Sequence, residues 1–217
     1  MNKGIQGIIN FSDIIKLFSQ CNRYMAISLK KGGNISLAKA DPALNKVLIG
    51  LGWDARSTDG AKFDLDATAF LLNANNKVRS SQDIIYYGQL SSVDGSVVHT
   101  GDNRTGDGDG DDESIIVDLN KIPHAIEKII IAVTIHDADI KRQNFGQVDN
   151  AFIRVVNDDT QNEVIRFDLN EDYSTETALT FGELYRLKGE WKFRAVGQGY
   201  SGGLHALCQL YGVEVND

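Results

Sequence analysis

The sequence predicts an all-β protein: an antiparallel β-sandwich with few short helices and one helix near the C-terminus. Three observations predict it. Short apolar runs rich in Val, Ile, Leu and Phe recur at short intervals from Met25 onward. Turn-forming pairs such as Asp94-Gly95 and Lys188-Gly189 separate many of them. No long helical periodicity lies between the runs, so the crossover helices of a parallel sheet are missing. A hydrophobic content of 42% over 217 residues suffices for a sizeable core.

Residues 1–24 differ from the rest of the chain. Ile5, Ile8, Ile9, Ile15 and Phe18, with Leu17 nearby, form a rough helical apolar stripe, and Ser12 can cap a short helix. Three readings stay open for this segment: a docking helix, an accessory partner-binding segment, or sequence upstream of a natural start at Met25. It is treated as an appendage to one domain, residues 25–217, because no linker interrupts that stretch.

The predicted strands are Ile35–Lys39, Lys46–Gly52, Ala67–Leu72, Ile84–Tyr87, Ser96–Thr100, Ser114–Leu119, Lys128–His136, Ala151–Val156, Glu163–Leu169, Leu179–Leu187 and Trp191–Val196. Asp94-Gly95 and Lys188-Gly189 sit in hairpin-like gaps. Asp158-Asp159 reads as a further turn. A helical turn is expected around Pro123–Glu127 and a closing helix over Leu204–Tyr211. Many short strands joined by tight turns imply a sandwich or barrel.

The net charge is −8, which disfavours nucleic acid and unaided binding to an anionic membrane. No run of 18 or more apolar residues is present, so direct membrane insertion is not expected. The first 24 residues do not read as a signal peptide, since Asn10, Ser12 and Asp13 interrupt the apolar stretch. Cys21 and Cys208 lie far apart and fit no metal or redox spacing; they read as free thiols in a reducing compartment. The three sequons at Asn10, Asn34 and Asn103 are discounted for the same reason.

The most informative stretch is Gly101 to Glu113. It carries Asp102, Asn103, Asp107, Asp109, Asp111, Asp112 and Glu113, with four glycines and one Arg. Such charge density repels itself unless a hard cation converts it into ligand density. Ca²⁺ takes carboxylate, amide and carbonyl oxygens in flexible geometry, whereas Mg²⁺ keeps its waters. The loop has no Cys or His, which argues against Zn²⁺. An EF-hand is excluded: Asp112 stands where that loop needs Gly, and Asp118 where it needs Glu. A repeat-type calcium roll is excluded because the pattern occurs once. The competing reading is a solvated acidic turn.

A second pair, Asp64 and Asp66, opens a predicted strand. Residues two apart share a strand face, so both carboxylates point one way, with Phe63, Leu65 and Ala67 on the other. They are either fixed metal ligands or the decoration of a solvent edge. His99, His124, His136 and His205 are scattered and read as structural or surface residues. His136-Asp137-Ala138-Asp139 is a turn with the composition of a third ligand cluster. Glu183 falls inside a strand, where a buried carboxylate needs Arg186, Arg194 or a metal. No G-x-S-x-G elbow, Walker loop or H-E-x-x-H motif is present, and Gly197 to Gly202 lacks the βαβ context of a dinucleotide fingerprint.

These motifs together resemble the TerD family of bacterial tellurite-resistance and stress proteins. The resemblance runs through Ile27-Ser28-Leu29-Lys30-Lys31-Gly32-Gly33-Asn34, Gly50-Leu51-Gly52-Trp53-Asp54, Phe63-Asp64-Leu65-Asp66, the Gly101–Glu113 loop, Phe145-Gly146-Gln147-Val148, Gly182-Glu183-Leu184-Tyr185-Arg186 and Trp191 to Gly199. It covers residues 25–213 in order and leaves residues 1–24 without a counterpart. It implies a β-sandwich binding Ca²⁺, two ions, with ligands among Asp64, Asp66, Asp102, Asn103, Asp107, Asp109, Asp111, Asp112 and Glu113. Family members often carry Glu where this chain has Asp107, so the shorter arm implies an outer-shell place for it. The resemblance also implies a role in tellurite resistance and a cytoplasmic protein working with other Ter-family proteins, near a TerC-type membrane protein complex. The leading reading is a non-enzymatic Ca²⁺-binding β-sandwich whose metal-ordered acidic loop presents a surface to partner proteins. Two other readings stay open: a metal-dependent enzyme acting on a phosphoester or a tellurium oxyanion, and a structural assembly module.

Overall fold

A computed structural model describes residues 26–55, 63–101, 110–169, 171 and 173–213. The N-terminal helix expectation, Cys21 and the candidate ligands Asp102, Asn103, Asp107 and Asp109 lie outside the described residues.

The chain order is β1 (Ile27–Ser28), β2 (Asn34–Ser36), α1 (Leu37–Ala40), β3 (Lys46–Ala55), β4 (Leu65–Leu72), β5 (Ile84–Ile85), β6 (Val97–His99) and β7 (Glu113–Asp118). After these come β8 (Lys128–Ile135), α2 (Ala138–Lys141), β9 (Val148–Asn157), β10 (Glu163–Asp168), β11 (Ala178–Leu187), β12 (Glu190–Tyr200) and α3 (Gly203–Tyr211). They form two six-stranded sheets. Sheet A runs β1-β10-β9-β3-β7-β6 and sheet B runs β2-β12-β11-β8-β4-β5. Every pairing is antiparallel except β1 with β10, which is parallel.

The pleat explains the layers. In β7 the residues alternate, with Glu113, Ile115 and Val117 buried and Ser114, Ile116 and Asp118 half-exposed. In β4 both faces are buried, because sheet B is covered on both sides. Leu65, Ala67, Ala69 and Leu71 join the main core between the sheets. Phe70 and Leu72 join a second cluster with Ile130, Ala132, Leu207, Cys208 and Tyr211, where α3 lies on the outer face of sheet B. The Lys188-Gly189 turn forms as expected: both residues have positive φ, and Leu187 faces Glu190 across a two-residue hairpin.

Three local expectations differ from the structure. Of the Ile35–Lys39 run only Ile35 and Ser36 pair, with β12; the chain then winds into α1. Leu37 and Ala40 are both buried, and a helical turn puts residues three apart on one side where a strand would split them. Pro123–Glu127 is a turn closed by Ile126 N–H donating to Pro123 O at 2.9 Å, not a helix. His136-Asp137 leads into α2, with Asp137 in left-handed backbone.

Candidate metal site

The acidic residues gather at one end of the sandwich, where β3 ends and β4, β7 and β9 begin. Register dictates this. Leu51 faces Glu113 across β3 and β7, and Asp54 faces Asp149 across β3 and β9. Asp112 is tied to β3 twice: its N–H donates to Leu51 O, and Trp53 N–H donates to its Oδ2, each at 2.8 Å. Asp54 accepts from Asn150 Nδ2 at 2.7 Å. Burial holds the Asp112 carboxyl above the ordinary carboxylate range, and the neighbouring Asp54, Asp111 and Glu113 carboxylates add to this against the opposing Trp53 N–H. Asp112 therefore stands among excess negative charge on a rigid strand end.

Asp111 has a different environment. Arg154 donates to it through Nε at 2.7 Å and Nη2 at 3.0 Å, while Arg154 Nη1 reaches Glu163 at 3.2 Å. The approach needs glycine. Gly50 is the direct cross-strand partner of Arg154, and a Cβ at Gly50 would run into the Asp111 carboxylate. Gly50→Ala should therefore break this ion pair and cost about 1–3 kcal/mol. Urea unfolding measures it, and Gly50→Ala combined with Asp111→Ala should recover part of the loss. No recovery would mean that the cost lies elsewhere.

Glu113 is turned inward. It is 2% exposed, and its Oε2 accepts the Ala67 N–H of β4. His99 Nε2 lies 3.5 Å from the same oxygen, with both side chains fully buried. His99 Nδ1 accepts the Gly101 N–H at 3.2 Å, which assigns the ring proton of the neutral imidazole to Nε2, facing Glu113. One buried pair thus ties down the residues on either side of the 102–109 segment.

Asp64 and Asp66 open β4 as expected, with Phe63, Leu65 and Ala67 packed in the inter-sheet core. Asp64 Oδ1 is buried and has no hydrogen-bond partner. Asp66 is buried, lies 3.6 Å from His136 Nδ1, and lines a cleft of about 360 Å³ with His136, Asp137, Asp139 and His205.

Among the described residues, no group of three or more His, Cys, Asp and Glu side chains is drawn together tightly enough to hold a metal by itself. The donors present are nevertheless hard oxygens, with one buried carboxylate oxygen unsatisfied at Asp64 and negative charge concentrated at Asp112. That set fits Ca²⁺ chemically and not a thiophilic metal. Sequence reading missed Arg154, Asp149 and the place of Asp54 beside Asp112, because each depends on strand register, whereas His99 takes the structural place expected of it. Cys208 is buried and free, and burial pushes its thiol up, away from nucleophilic reactivity. No helix among the described residues is long and apolar enough to cross a membrane.

Comparison with known proteins gives a consistent picture. The TerD domain family profile matches residues 25–211. The chain is 65% identical over 192 residues to the tellurium resistance protein TerD of Serratia marcescens, covering 88% of this chain and 100% of that protein. It is 54% identical over 192 residues to general stress protein 16U of Bacillus subtilis, with the same coverage. The crystal structure of a TerD homologue from Streptomyces coelicolor superimposes with a TM-score of 0.64 at 24% identity, covering 76% of this chain and 95% of that one, which supports the fold.

Proposed function

Since this chain belongs to the TerD family of tellurium-resistance and stress proteins, we propose that it is a non-enzymatic Ca²⁺-binding stress-response protein. In this reading the metal orders the acidic loop, which then presents a surface to partner proteins. The observation that carries the reading is the gathering of Asp54, Asp111, half-buried Asp112 and Glu113 at one end of the sandwich, where register sets Leu51 against Glu113 and Asp54 against Asp149. The unsatisfied Asp64 Oδ1 supports it. Asp112 and Asp64 would hold the two ions with Asp102, Asn103 and Asp109, Asp66 would complete the shell, and Asp107 would stand in an outer shell. Asp111, already compensated by Arg154, and Glu113, turned into the core, would brace the loop from its C-terminal end. A bound cation supplies compensating charge that draws these oxygens together. Affinity in the sensor range of about 10⁻⁷–10⁻⁵ M would make the loop a cellular switch.

The partners in this reading are other Ter-family proteins, assembled in the cytoplasm beside a TerC-type membrane protein complex. Hydrogen exchange tests the ordering step. Adding Ca²⁺ to EDTA-stripped protein should slow amide exchange across residues 101–113 and leave β11 and β12 unchanged. Equal exchange in both conditions would overturn it.

A further inference from the structure

At the opposite end of β8 from His136, the outer face of sheet B carries a charged cluster that the metal site does not use. Glu183 of β11 and Arg194 of β12 are direct cross-strand partners. Arg194 Nη2 donates to Glu183 Oε1 at 2.7 Å, and Lys128 Nζ stands 3.5 Å from Glu183 Oε2. Glu183 is only 4% exposed. Arg186, the other expected partner, instead donates to Ile122 O and lies over the Trp191 ring.

These side chains line a cleft of about 490 Å³ beside α3, within the size range of small-molecule sites. Its charged residues are Lys77, Lys128, Arg194 and Glu183: three cations to one carboxylate. The protein as a whole carries −8. One cation would balance Glu183; here two contact it, and positive charge is left over.

We propose that this cleft binds a small ligand through an oxyanion group, held between Arg194 and Lys128. Glu183 acts as the brace. It takes one N–H from Arg194 and faces the ammonium of Lys128, so both cations are held in place with further N–H donors to spare. The remaining contact of Arg194 is the Tyr185 ring at 5.9 Å. Lys77 donates to Leu210 O at 2.7 Å, which fixes a third positive charge at the rim. Tyr211 closes one wall; burial pushes its hydroxyl up to about 12, so it stays a neutral donor. Leu72, Ile130 and Leu210 give the cleft an apolar side for the rest of a ligand.

The site does not depend on Ca²⁺, so the test is run on the full chain in EDTA by isothermal titration. The probes are inorganic phosphate, tellurite and adenosine monophosphate. At least one should bind at one equivalent, tighter than millimolar and weakened by salt. Arg194→Gln should weaken that binding by about tenfold or more, the loss of a charge-assisted contact, while Lys39→Gln, outside the cleft, should leave it unchanged. Phosphate alone would identify a free anion, the nucleotide alone a ligand that uses the apolar wall, and tellurite in preference an oxyanion tied to the family's resistance. If Arg194→Gln fails to fold, Glu183→Gln with Arg194→Gln removes opposite charges together and should also lose binding. Failure of all three probes to saturate in the millimolar range, or unchanged binding in the variants, would overturn the proposal without touching the metal reading.

Discussion

Glu113→Ala should destabilise the metal-free protein by about 3–4 kcal/mol, the sum of a lost buried hydrogen-bond network and a cavity. The Ala67 N–H and the His99 Nε2–H both face the Glu113 carboxylate in a dry interior. Truncation leaves the buried Ala67 N–H without its acceptor and takes away the carboxylate that faces His99 Nε2. For a domain of this size the midpoint of thermal unfolding should fall by roughly 10 °C. Glu113→Gln keeps an acceptor at the same place and should cost about 1 kcal/mol. Urea unfolding in EDTA separates these values. A loss below about 1 kcal/mol for Glu113→Ala would show that the inward pair does not anchor the loop.

Asp112→Asn should have the opposite profile. Its Oδ1 can still accept the Trp53 N–H, so the strand-end contact survives. Removing one negative charge from the group formed with Asp54, Asp111 and Glu113 relieves repulsion in the metal-free state. Stability in EDTA should stay the same or rise slightly. Ca²⁺ affinity should fall by about 10–100-fold, because ligand charge sets the affinity of such sites. Asp111→Asn provides the contrast. It breaks the two-point contact with Arg154 and leaves that guanidinium half-buried, so it should lose stability first. If the two variants behave alike in both assays, the division between ligand and brace is wrong.

The strands were legible in the sequence because β-branched and aromatic runs, alternating faces and tight turns are local properties. The strand that follows the acidic loop and the Lys188-Gly189 hairpin derive from them. So does the common orientation of Phe63, Leu65 and Ala67, away from Asp66. The site was half legible. Acid density in residues 101–113, with Asp64 and Asp66, marked the end of the sandwich where the described carboxylates gather. The role of each carboxylate there was not legible, because it depends on pairings distant in sequence: Asp111 with Arg154, Glu113 with Ala67 and His99, Asp54 with Asp149. Glu183 illustrates the same limit. Its need for a cation was readable from burial in a strand, but the choice of Arg194 and Lys128 over Arg186 comes from register. The parallel β1–β10 pair and the Leu37–Ala40 helix also escaped, since two to four residues carry no periodicity.

Selective calcium binding at this acidic end is the central claim. Isothermal titration of Ca²⁺ into EDTA-stripped protein, with Mg²⁺ as competitor, tests it most directly. Two ions should bind in the micromolar range or tighter, resistant to millimolar Mg²⁺ and weakened by Asp112→Asn. No heat of binding, or equal preference for Mg²⁺, would contradict it and leave the carboxylates as a solvated edge of the sandwich.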